Sequence, residues 1–147
     1  MIYPTAEDWA YFAGLIDGEG SLQINRRKRQ ERRSPSYHAT LSIANTDRRI
    51  IDWLQERWPG YDLRPYTLPS GRTAYRWSVQ GDPMRPLLTH VRPWLVAKAD
   101  QAWVVLEFLA QRTTFPGKRP VSPEELSLRE GFALALNYLH RRGTNAA

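Results

Sequence analysis

The chain has 147 residues and no cysteine. That excludes disulfides and thiolate metal sites, and it is compatible with a reducing compartment. No apolar run approaches the about 18 residues a membrane span needs, and no charged-then-apolar leader opens the sequence. No membrane partner is expected, and the chain is read as intracellular, in cytoplasm or an organelle matrix. Lysine is scarce: of 21 basic residues, 18 are Arg and only three are Lys. No low-complexity segment or linker divides the chain, so its length implies one domain, residues 1–147, long enough to bury a full core.

What is abundant is positive charge. The net charge is +6 and the sequence pI is about 10.0. Arg pairs bidentately with phosphate and with guanine edges, so the balance favours a polyanionic partner over a merely soluble basic surface or an acidic protein partner. One run, Arg26-Arg-Lys-Arg-Gln-Glu-Arg-Arg33, supplies most of the excess. Such a block is expected to be a solvated loop, and at a hairpin tip it would clamp phosphates and confer steep salt dependence.

The chain is organised around Phe12-Ala-Gly-Leu-Ile-Asp-Gly-Glu-Gly-Ser21. A helix from near Thr5 to near Gly18 places Ala6, Ala10, Gly14 and Gly18 four apart, on one nearly bare face. Trp9, Tyr11, Phe12, Leu15 and Ile16 cover the others, so the helix should be buried on most sides. Glycine inside a helix costs on the order of 1 kcal/mol, which close approach of a second helix would offset. No second stripe of this kind occurs in the chain, so the partner is expected to be the same helix of another copy, with Ala10, Ala13, Gly14, Asp17 and Gly18 at the interface. Glu19 then falls at the negative end of the helix dipole, unfavourable without a cation. Either a divalent metal on the Glu19 carboxylate and the Gly18 carbonyl resolves the conflict, an all-oxygen set suited to Mg²⁺, or Glu19 is a solvated turn acid.

Period-2 alternation predicts a strand over 21–27, with Leu22 and Ile24 inward and Gln23, Asn25 and Arg27 outward. A second strand is expected over 36–45, with Ala39, Leu41 and Ile43 inward and His38, Thr40, Ser42 and Ala44 outward. His38 lacks acids or other His at ligand spacing and is read as a polar-face contact. Asn45 or Thr46 is expected to cap a helix with Asp47 in its first turn, burying Ile50, Trp53, Leu54 and Trp58. A second hairpin follows over 62–68 and 72–80, with Arg64, Tyr66, Arg72 and Arg76 extending the polar face. Short and long helices should run over 82–91 and 98–112. Ser122-Pro-Glu-Glu125 starts a last one, to about His140.

The segment Phe12–Ser21 resembles the signature of the LAGLIDADG homing endonucleases. Phe12 stands for its leading Leu, Gly18 for the following Ala and Glu19 for the second Asp. Members with one motif are homodimers, and this chain has one. The resemblance implies an α+β fold, an αββαββα core with C-terminal helices and an antiparallel four-stranded saddle sheet for DNA. It implies a site-specific endonuclease that hydrolyses phosphodiesters in both strands of a long, near-palindromic duplex, with Mg²⁺ as cofactor and Ca²⁺ or Mn²⁺ able to substitute for binding or cleavage. Glu19 and Gly18 would hold the metal. The segment resembling Leu41–Asp47 places Asp47 to orient water or metal, and Pro93–Ala102 places Lys98 beside the developing charge. DNA contacts are expected from Gln23, Asn25, Arg27, Lys28, Arg29, Arg32, Arg33, His38, Thr40, Ser42, Arg64, Tyr66, Arg72 and Arg76. The same fold also serves RNA-splicing maturases, with intron RNA as partner, and non-cleaving DNA-binding proteins.

Overall fold

A computed structural model describes residues 2–28, 35–60, 65–111 and 121–145. Arg29, Arg32, Arg33 and Arg64 lie outside them. Helix α1 (Ala6–Glu19) leads into strands β1 (Gly20–Arg27) and β2 (Ser36–Asn45), then α2 (Arg48–Arg57), β3 (Tyr66–Thr67) and β4 (Thr73–Gln80). Helix α3 (Met84–Val91) and a 3-10 turn at Arg92–Trp94 precede α4 (Ala99–Gln111) and α5 (Pro123–Asn145).

The described strands form one antiparallel sheet in the order β1-β2-β4-β3. Alternation is the reason it has two different faces. Leu22, Ile24, Tyr37, Ala39, Leu41, Ile43, Trp77 and Val79 point to one side and are buried against the helices. Phe12 and Ile16 of α1, Leu54 of α2, Leu88 of α3 and Phe108 of α4 complete the core. An aromatic cluster ties α1 to α2 and the sheet: the Phe12 ring stacks 4.2 Å from Trp58, and Trp77 meets Phe12 edge-on. Trp77 Nε1 donates to the Trp58 carbonyl at 2.7 Å, which satisfies its polar tip inside the core.

Several local expectations are corrected. Asp47, not Asn45 or Thr46, is the N-cap of α2, its carboxylate accepting from the Arg49 amide. In α2 the inward positions are Ile51 and Leu54, whereas Ile50 and Trp53 are half-buried at its flank. Arg26 and Arg27 do belong to β1, as the strand expected over 21–27 has it, paired with Tyr37 and Ser36. On the face of β4 that carries Arg76, Ala74 and Ser78 are buried. Helix α1 includes Glu19, α4 opens at Ala99, and α5 continues past Gly143 to Asn145.

Candidate active site and nucleic-acid interface

Helix α1 is started by a reciprocal cap: Thr5 Oγ1 accepts from the Asp8 amide, and Asp8 Oδ2 from the Thr5 amide. Its other end passes straight into β1, and that abrupt change needs Gly20. A Cβ there would lie 2.7 Å from the Ile16 carbonyl oxygen. The Gly20 amide donates to that same oxygen. Lys98 Nζ reaches over to donate to the Ile16 carbonyl at 3.0 Å and to the Gly20 carbonyl. An ammonium therefore already caps the negative end of the helix. Burial lowers the Lys98 pKa, opposed by the nearby charge of Asp17.

Asp17 completes the junction from the other side. Its Oδ2 accepts from the Val96 amide at 2.8 Å, and its Oδ1 from Ala97 at 3.1 Å and Lys98 at 3.0 Å. It anchors the segment entering α4, where amides lack helical partners. Its carboxylate is thus engaged within its own chain, not free for a partner helix as expected. Ala13 is likewise corrected: it is 1% exposed and packs in the core, because it lies about 100° around the helix from Gly14. The remaining seam is open. Gly14 and Gly18 are exposed, and a Cβ at either would meet nothing within 4 Å, while Ala10 is half-buried. Tyr11 flanks this seam at 48% exposure, its ring edge-on to Trp53.

Glu19, exposed at the end of the seam, accepts from Asn45 Nδ2 at 2.5 Å. Asn45 Oδ1 in turn accepts from the Asp47 amide at 2.7 Å. One asparagine bridges the Glu19 carboxylate to the backbone of Asp47. The Asp47 carboxylate itself turns to Arg49, with Nε 3.0 Å from Oδ1 and Nη2 2.7 Å from Oδ2. That guanidinium and the Arg49 amide hold its pKa down at about 2. Asp47 lines a groove with Glu7, Asp8, Tyr11, Arg49, Ile50 and Trp53. Lys98 lines a different cleft of about 550 Å³, with Asp17, Gly20, Ser21, Leu22, Gln23, Ala97, Gln101 and His140. The structure therefore brings Glu19, Asn45 and Lys98 to one helix end and aims the Asp47 side chain elsewhere.

The sheet's other face carries the polar row. Gln23, Thr40 and Gln80 are in register across three strands, as are Ser21, Ser42 and Ser78; Asn25 pairs with His38, and Arg27 with Ser36. His38 Nε2 lies 3.0 Å from Ser36 Oγ. Arg76 stacks over the Tyr66 ring at 5.0 Å, and Arg72 Nη2 donates to Thr46 Oγ1 at 3.3 Å. Lys28 is exposed just beyond β1. All the expected contact residues within the described portion of the sheet share this face or its edge.

Sequence reasoning missed Asn45 as a partner of Glu19, Gln80 on the polar face, and Gln101 and His140 in the cleft. Gln80 was legible from the alternation of β4. Asn45 needed the 26-residue contact with Glu19, which no local pattern carries. Glu19 and Gly18 offer only oxygen donors, and the Gly18 carbonyl, one turn before Leu22 of β1, has no i+4 helical amide. The donors suit a hard divalent cation. Among the described residues no group of three or more His, Cys, Asp or Glu is placed to hold a metal ion by itself.

No protein-family model matches the sequence, and no curated protein matches it significantly. Solved structures do match. The homing endonuclease I-CvuI, solved in complex with DNA in the presence of Mg, superposes with a TM-score of 0.73 at 20% identity, over 90% of this chain and 82% of that one. The archaeal intron-encoded homing endonuclease I-Vdi141I, also complexed with DNA, gives 0.73 at 15% identity, over 90% and 84%. The LAGLIDADG homing endonuclease I-GzeII gives 0.67 at 13%, over 88% of this chain but 45% of that one. The four-stranded sheet, its helical backing and the glycine-lined first helix together give this chain the LAGLIDADG homing-endonuclease fold.

Proposed function

We propose that the chain is a homodimeric, metal-dependent endonuclease that cuts both strands of a long, near-palindromic DNA duplex. The observation that carries this reading is the end of α1: an exposed glycine seam runs directly to an exposed carboxylate, Glu19, held by Asn45. Two copies meeting along Gly14 and Gly18 would bring two such acids beside one axis. The lengths agree, since the chain spans most of I-CvuI and I-Vdi141I but under half of I-GzeII. The polar face carries base-reading side chains and Arg, and a two-stranded ribbon of this kind fits the major groove.

In this mechanism Glu19 and the Gly18 carbonyl would hold Mg²⁺, which would supply Lewis-acid polarisation of the phosphate and acidify the attacking water. Asn45 fixes the Glu19 carboxylate by its Nδ2–H bond. Asp47 acts through Asn45, because its amide orients the Asn45 carbonyl. Lys98 spends two N–H bonds on the helix end, which leaves one for charge developing on the phosphate.

Selection of cleaved sites from a random duplex pool, in Mg²⁺ and in chelator, tests the activity. Glu19→Gln should then abolish cutting of a selected site while leaving affinity in Ca²⁺ within about tenfold. Cleavage by that variant, or in chelator, would remove the metal assignment. Binding without any cleavage would favour a regulator or a maturase.

A further inference from the structure

Helix α5 has two apolar sides, and the core takes only one of them. Phe132, Leu136 and Leu139 pack inward, with Leu136 buried and the Phe132 ring 6.3 Å from that of Phe108 in α4. A second side carries Glu124, Leu128, Gly131, Ala135, Tyr138 and Arg142, all exposed. Their spacing alternates between four and three residues, the repeat of a helix seam that receives another helix. Tyr138 is 62% exposed, and Leu134, flanking the middle of the seam, is 58%. A Cβ on Gly131 would meet nothing within 4 Å.

The order of residues along this seam selects its occupant. Turned end for end and laid against itself about position 133, the helix sets Glu124 opposite Arg142, Leu128 opposite Tyr138 and Gly131 opposite Ala135. Acid meets base at both ends, large apolar groups meet between them, and the two smallest residues meet at the centre, where the axes can come closest. A surface complementary to its own inverted copy is what a two-fold axis requires.

We propose that α5 pairs antiparallel with α5 of a second copy of this chain, in that register. The seam is about 27 Å long, 18 steps of 1.5 Å. One helix face buries less than a standard interface, so the pairing is weak and reversible. It uses α5, which packs on α4 and β1, and leaves the glycine seam of α1 free. The pairing itself does not depend on the nuclease reading. Combined with the α1 homodimer of that reading, it joins dimers into a larger particle that holds more than one duplex.

Sedimentation of the full chain over a wide concentration series tests this. Gly14→Leu, with the α1 seam blocked, should still self-associate at high concentration. Adding Ala135→Glu, which wedges the α5 seam and places like charges beside its axis, should leave a monomer with an unchanged thermal midpoint. In the Gly14→Leu background, Glu124→Arg and Arg142→Glu should each weaken the pairing about three- to tenfold, and the two together should restore it. A Gly14→Leu protein that stays monomeric throughout would overturn the proposal, as would self-association indifferent to Ala135→Glu. A double charge reversal no tighter than either single one would overturn the register and the proposal with it. If Gly14→Leu changes nothing while Ala135→Glu abolishes association, the α1 homodimer fails and the α5 pairing stands.

Discussion

Asp17 and Glu19 are two acids of one short motif, yet they have opposite circumstances. Two residues on a helix are separated by about 200°, so they must face opposite ways. Asp17 turns inward and accepts three amide hydrogens from a segment 79–81 residues away. Glu19 turns outward and accepts from a single side-chain amide. The first acid is consumed in joining α1 to α4. The second keeps its remaining lone pairs at the surface. A motif that reads as a pair of like residues is, in the fold, one fastener and one exposed acid held by a single side-chain amide.

The largest expected effect is the split between the two conservative variants. Glu19→Gln should lose cleavage and leave the thermal midpoint where it was, since its side chain is exposed. Asp17→Asn should do the reverse first, losing about 2 kcal/mol because hydrogen bonds to a charged acceptor are the strong ones. For a domain of this size that lowers Tm by roughly 4–8 °C. Thermal melts of both proteins decide the matter, and equal loss of stability would erase the distinction.

A smaller effect, with opposite signs in monomer and dimer, is expected on the seam that leads to Glu19. Gly14→Leu meets open space within one chain and gains helix propensity, on the order of 0.8 kcal/mol. In a dimer the same side chain would wedge the two helices apart. Sedimentation should show weaker self-association, while the melting of dilute monomer rises or holds. An unchanged dimer would move the interface off this face.

Much of the frame was legible because it depends on period. Strands β1, β2 and β4 alternate strongly enough that facing residues follow from parity, and Thr5 with Asp8 and Ser122 with Glu125 are capping patterns readable over four residues. The seam was also visible, but its width was not. Ala13 and Asp17 lie next to it in sequence and turn into the chain, since the core, rather than the stripe, sets the helix rotation. A helix ending in Glu19 calls for a cation at its negative end, and Lys98, 82 residues beyond Ile16, supplies one from within the chain. Long-range polar contacts such as Asn45 to Glu19 leave no periodic trace, and these assemble the site.

Asp47 provides the gentlest probe of the same contrast, since it is an acid beside the site whose carboxylate is occupied. Arg49 holds its pKa at about 2, below the ordinary 3.8. A depressed carboxylate contributes stability that is present above its unfolded value and lost as pH falls through the folded one. Asp47→Asn keeps a good N-cap and removes only the charge. The Tm gap between wild type and variant should therefore be small, steady from neutral pH to about 5, and closed near pH 2. Cleavage at neutral pH should largely survive, because the backbone amide that orients Asn45 is retained. A loss of cutting as deep as that of Glu19→Gln, with an unchanged melt, would instead put the Asp47 carboxylate in the chemistry and require it to leave Arg49 when DNA binds.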